Sequence, residues 1–285
     1  MRPKCWTPPA RCRARSDPVQ GSVAAAAAAV LGAADPLDKV RLARRAARDW
    51  RLGRLAHRFD VALPDRPARP ARPELLPPNR MPRRGRGGSE RGRLALIHAL
   101  AHIEFVAIDL AFDVAARFGG QFPRGFTDDW MRVGADEAMH FALLDRRLRA
   151  LGSWYGAMPA HDGLWDAAGE TAGDALARLA VVPMVLEARG LDVTPATVER
   201  FESVDDTATA RILTRIMTDE VRHVRAGTDW FRWGCLQRGF APVPHWHAMV
   251  GRHFRGTLKP PFNDSARDAA GLTRDYYEPL ARVNE

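Results

Sequence analysis

The sequence is poor in cysteine, lysine and tyrosine, with three of each, and no stretch shows a sustained strand-type alternation of apolar and polar residues. Cys5, Cys12 and Cys235 are too few and too scattered for a disulfide framework or a thiolate metal site, and a reducing, cytoplasmic setting fits them best. No segment reads as a membrane span, which takes roughly 20 apolar residues; the longest weakly apolar run, Val23 to Ala34, is mostly alanine, so no membrane partner is expected. That run follows an Arg-rich start, as a targeting segment would. Ser22 as an N-cap and Asp35-Pro36 as the opening of a second helix favour a helix instead. With 46% hydrophobic and 27% charged residues, the chain of 285 residues is neither disordered nor fibrous overall and is long enough for one large domain with appendages.

The formal net charge of +9 is unevenly spread. Residues 1–93 carry 22 Lys/Arg against 8 Asp/Glu, a surplus of 14, whereas the rest carry 21 against 26, a deficit of 5. Positive charge is therefore an N-terminal property, and it admits RNA or another polyanion as a partner of that segment.

Four regions follow from composition and periodicity. Residues 1–21, rich in Pro, Arg and Ser, read as disordered. Residues 22–93 hold an Ala-rich helix, an amphipathic helix over 37–56 and a Pro/Arg-rich arm whose residues 63–93 include seven prolines and a Gly-Arg-Gly-Gly stretch. Residues 94–238 form the main domain: long helices are expected near 90–118, 127–151, 165–189 and 205–238, broken at Gly119-Gly120, Gly152 and Gly190. That is an all-α, four-helix bundle. Residues 239–285 make a C-terminal extension with short helices near 244–255 and 264–272.

Of 11 glutamates, only Glu137 and Glu220 have a histidine three residues later, His140 and His223, and each pair follows an aspartate, Asp136 or Asp219. Residues at i and i+3 share a helix face, so each pair presents a carboxylate and an imidazole to one centre. Glu104 precedes Glu137 by 33 residues and Glu187 precedes Glu220 by 33, so the second set repeats the first 83 residues on. Two helix pairs of matched length thus carry Glu, then Glu-x-x-His. Four carboxylates offset the charge of two divalent ions in a core, and oxygen-rich ligation with one nitrogen per ion suits iron, or manganese, better than copper. Without metal, four buried glutamates would repel one another.

This arrangement resembles the ferritin-like di-metal carboxylate superfamily. The phrases His98-Ala-x-x-His102-Ile-Glu104, Asp136-Glu137-Ala-x-His140-Phe, Pro183-x-Val-Leu-Glu187-Ala-Arg-Gly190-Leu-Asp and Asp219-Glu220-Val-x-His223-Val are similar, more closely, to the ferritin-like family called domain of unknown function 455 (DUF455). The resemblance implies a ferritin-like four-helix bundle with two iron ions. Glu104 and Glu187 would be terminal ligands, His140 and His223 would bind one metal each, and Glu137 and Glu220 would bridge. Asp219 would hydrogen-bond His140, and Asp136 would hydrogen-bond His223.

Other features take plainer readings. His98, His102 and Asp109 form a stripe turned well over 100° from Glu104, which suits hydrogen-bonded packing. Pro183, one turn before Glu187, favours a kink or bulge. His245, His247 and His253 suit surface or packing positions. The function expected is a dioxygen-activating oxidase or oxygenase of hydroxylase type with a small-molecule substrate; the alternatives are iron handling or peroxide detoxification of ferritin or manganese-catalase type, or a metal-stabilised binding protein.

Overall fold

A computed structural model describes residues 21–82 and 89–281; the start expected to be disordered, up to residue 20, and the Gly-Arg-Gly-Gly stretch lie outside the described residues. Among the described residues the fold is all-α, with strands confined to β1 (Gly21–Ser22) and β2 (Leu55–Ala56), two residues each and paired in parallel.

The N-terminal helices begin where their caps stand. Helix α1 (Val23–Leu31) is capped by Ser22, whose Oγ accepts the Ala25 N–H at 3.1 Å. Asp35 caps α2 (Pro36–Arg51) by accepting from the amides of Leu37 and Asp38, with Pro36 at the first position, where its missing N–H costs nothing. Helix α1 packs on α3 and α2 packs on α4, burying Val23, Ala27, Val30, Ala43 and Trp50. A fully buried large apolar side chain contributes about 1.5–3 kcal/mol.

The arm between α2 and α3 is tied down by charge. Lys39 and Arg69 both pair with Asp109, and Arg69 and Arg66 reach Asp162 at 3.0 and 3.1 Å. Lys39 and Asp109 are fully buried. Part of the N-terminal basic surplus is thus neutralised inside the fold by acids from the C-terminal two-thirds.

Four long helical stretches follow. Helix α3 (Glu90–Phe118) packs along α4 (Arg124–Ala150), joined through a tight turn at Gly119–Gln121. Gly152, in the left-handed region at φ +73°, turns the chain after α4, where a Cβ would be strained. After the short α5 (Gly163–Gly169), a continuous helical stretch runs through α6 (Ala175–Val181), a π-helical turn (Val182–Glu187) and α7 (Ala188–Glu202), and α7 packs along α8 (Thr207–Gln237).

The third stretch corrects the sequence reading. It starts at Ala175 rather than 165, because Asp174 supplies the cap, accepting the Leu176 N–H at 2.8 Å. It also runs through Gly190 and Pro195 and ends only at Glu202, ahead of Asp205 at φ +58°. An interior glycine costs about 1 kcal/mol, which packing of α7 on α8 outweighs.

Pro183 lies in the π-helical turn, the distortion its missing N–H favours. Gly227 of α8 permits it: a Cβ there would sit 2.4 Å from Pro183 Cβ. The extension forms α9 (Pro242–His253), α10 (Asp264–Ala269) and α11 (Arg274–Tyr277), held by a buried pair in which Arg267 donates to both oxygens of Asp192, at 2.8 and 2.7 Å.

One stretch the sequence reading passed over, Glu90–Gln121, contains an 18-residue window apolar enough to cross a bilayer, but 67% of that window is buried inside the protein. It also carries Glu104, Asp109 and Asp113, all buried.

Candidate metal centre

The two Glu-x-x-His pairs stand on α4 and α8, Glu104 stands on α3, and Glu187 ends the π-helical turn. One ligand atom from each of Glu104, Glu137, His140 and Glu220 falls within a set spanning 4.8 Å, and this cluster could hold a metal ion. His223 adjoins it: its Nδ1 is 2.9 Å from Glu137 Oε1 and 3.5 Å from Glu220 Oε1. Glu187 stands outside the tight set, near enough for Glu220 and Glu137 to act on it.

The cluster is buried but not satisfied. Glu104, Glu137, His140, Glu220 and His223 are each 8% exposed or less. Both oxygens of Glu137, Oε2 of Glu187, Oε2 of Glu220 and Nδ1 of His223 are buried with no hydrogen-bond partner. The 2.9 Å approach of His223 to Glu137 is therefore close but misaligned for a hydrogen bond. Each buried polar group left unpaired costs about 1–3 kcal/mol, more when charged, so several on facing side chains need a shared explanation.

The outer nitrogens are engaged. His140 Nε2 lies 3.2 Å from Asp219 Oδ2, and His223 Nε2 lies 3.4 Å from Asp136 Oδ2. A carboxylate only accepts, so each Nε2 carries a proton and each Nδ1 faces the glutamates. The pairing crosses between α4 and α8 in both directions. Sequence reasoning missed what holds the aspartates: Arg215 donates to Asp219 at 2.7 Å, and Arg222 donates to Asp219 at 2.5 Å and Asp136 at 3.4 Å. Their only signal was position, Arg215 one turn before Asp219 and Arg222 directly before His223.

Burial and mutual charge act differently on the members of the cluster. Burial, with the Glu137 charge, drives the Glu104 carboxyl well above its ordinary range; burial and Glu220 do the same for Glu187, and burial and Glu137 raise Glu220. Glu137 is the exception. Burial opposes its charge, but His223 and His140 outweigh it and hold Glu137 low and ionised. Burial likewise works against a charged His140, yet its hydrogen bond to Glu104 and the nearby charges of Glu104 and Glu137 push it up to about 11. His223 rises well above its usual value as Glu220 and Glu137 outweigh burial. Raised imidazole values keep positive charge beside Glu137, and raised carboxyl values reduce the negative charge that the other glutamates would bring together.

The second stripe of α3 does something else. Asp109 anchors Lys39 and Arg69, His98 Nε2 accepts the Gly156 N–H at 2.9 Å, and His102 lies 2.9 Å from the Tyr155 hydroxyl through Nδ1. These are packing contacts. At the C-terminus, His247 Nε2 lies 2.8 Å from the Tyr276 carbonyl and His245 stacks on Phe240, so these two also pack.

Comparison with known proteins adds membership and no activity. The family model described as "Protein of unknown function (DUF455)" matches residues 32–278. A protein of Haemophilus influenzae named "Uncharacterized protein" is 39% identical over 222 residues, 76% of this chain and 77% of that one. No solved structure matches.

Proposed function

The chain belongs to the DUF455 family, so its function has to come from the site, and we propose that it is a ferritin-like four-helix-bundle protein that holds two iron ions and activates dioxygen toward an organic substrate. The observation that carries the reading is the set of buried, unpartnered ligand atoms on Glu137, Glu187, Glu220 and His223. The helix pairs support it, since α3 with α4 and the Glu187 stretch with α8 each bring one Glu and one Glu-x-x-His. Glu104 with His140 would hold one ion and Glu187 with His223 the other, with Glu137 and Glu220 shared. Four carboxylates and two imidazoles favour iron, with manganese as the second choice.

Bound iron(II) would supply the electrons for dioxygen reduction. Asp219 and Asp136 hold the imidazoles with Nδ1 inward, and Arg215 and Arg222 hold the aspartates. Phe105, Phe141 and Met184, next to the ligands in sequence, are buried, Phe105 and Phe141 against Tyr155.

Metal analysis of the purified protein, followed by mixing its anaerobic iron(II) form with dioxygen, tests this. Expected are about two irons per chain and a transient visible absorption that Glu137→Ala and His223→Ala abolish. Stoichiometric zinc or copper, or absorption indifferent to both substitutions, would overturn it. Peroxide turnover with manganese bound, or large hollow assemblies, would favour peroxide chemistry or storage instead.

A further inference from the structure

On other faces of α3 from Glu104 lies a pocket of about 740 Å³, within the range of small-molecule sites. None of the six candidate ligands lines it. Its walls are the first half of α3, the segment between α4 and α5, and Met81 with Pro82. Most of that wall is apolar, and Ile103 is 42% exposed.

The polar lining has one sign. Among the described residues it includes no aspartate or glutamate. Arg91 is exposed and has no ion-pair partner among the described residues, so its guanidinium is free to meet a ligand. The first turn of a 29-residue helix, at Ser89, Arg91 and Gly92, adds the positive end of the helix dipole, with the Gly92 N–H itself held by the Ser89 Oγ at 3.1 Å. Glu90, in the same first turn, offsets part of that field, and its side chain lines a different cavity.

A buried donor is the independent observation. His98 is 1% exposed, lines the pocket and accepts the Gly156 N–H at Nε2, and burial pulls its ring down to about 4, keeping it neutral. The remaining ring proton therefore sits on Nδ1, which has no partner among the described residues. His102 offers nothing comparable: its Nε2–H donates to the His161 carbonyl at 3.2 Å, so Nδ1 accepts the Tyr155 hydroxyl.

We infer that this pocket binds an apolar carboxylate, with the acid group at the Arg91 and α3 N-terminal end, the hydrocarbon body along Ala99, Ile103 and Met158, and His98 as a donor to an oxygen on the ligand. Apolar walls bind hydrocarbon, and a lining of donors and positive charge without a carboxylate selects an acceptor-bearing anion over a cation. The site stands independently of the metals.

The test is calorimetric titration of the full-length protein with sodium decanoate and with decyltrimethylammonium, each in its monomeric range. Expected is saturable 1:1 binding of decanoate at least tenfold tighter than the cation. Arg91→Glu, an exposed change, weakens decanoate at least fivefold, and Ala99→Trp, which fills the pocket, abolishes its binding while metal content and helical circular dichroism stay as in the parent. No saturable decanoate binding, equal affinity for the cation, or binding that survives Ala99→Trp would overturn the proposal; the last result would place the carboxylate elsewhere, including at the metals.

Discussion

Asp219 of α8 accepts from His140 of α4 at 3.2 Å, and that single contact fixes which nitrogen of the imidazole faces the glutamates. Two arginines hold Asp219 in turn, so the histidine is oriented through two layers of contacts.

Removing that orientation weakens metal binding without deleting a ligand. Asp219→Asn is expected to lower metal affinity about 10–100-fold, the usual cost of losing such a partner. Competition with a coloured chelator measures it. Asp136→Asn should cost less, because Asp136 reaches His223 at the longer 3.4 Å and is partly exposed.

Metal uptake should release protons. His140, His223, Glu104, Glu187 and Glu220 all have raised pKa values in the metal-free cluster and must deprotonate to act as ligands. A group protonated only without metal opposes metal at low pH, so affinity rises with pH through the neutral range. One net proton released per ion gives about tenfold per pH unit. Chelator competition at pH 6 and pH 8 reads the slope, and a flat profile contradicts the assignment.

The π-helical turn depends on Gly227. Gly227→Ala places a Cβ 2.4 Å from Pro183, against a ring that cannot swing away. Expected is a loss of about 1–3 kcal/mol in a urea titration. Because Glu187 closes the same turn, iron stoichiometry should fall as well.

Breaking the buried charge group should cost more. Asp109→Asn leaves Lys39, fully buried, without its carboxylate, and removal of one partner from a buried pair costs about 3–5 kcal/mol. Denaturant unfolding measures it. A loss confined to the metal centre, with stability intact, would contradict the role given to Asp109.

The sequence by itself determined the ingredients. The caps at Ser22 and Asp35 opened α1 and α2, because a side-chain acceptor and a proline at the first position act locally. The repeat of Glu, then Glu-x-x-His, singled out six residues, because helical spacing converts directly into a shared face. What local patterns could not carry was decided by tertiary structure. Gly190 reads as a stop, yet packing against α8 carries the helix on to Glu202. Arg215 and Arg222 look like ordinary surface charges until the fold sets them beside Asp219 and Asp136. Tertiary structure also left Glu187 outside the 4.8 Å set and gave His98 a pocket of its own, because both outcomes depend on which elements pack across α3 and α8, and no spacing along the chain encodes that.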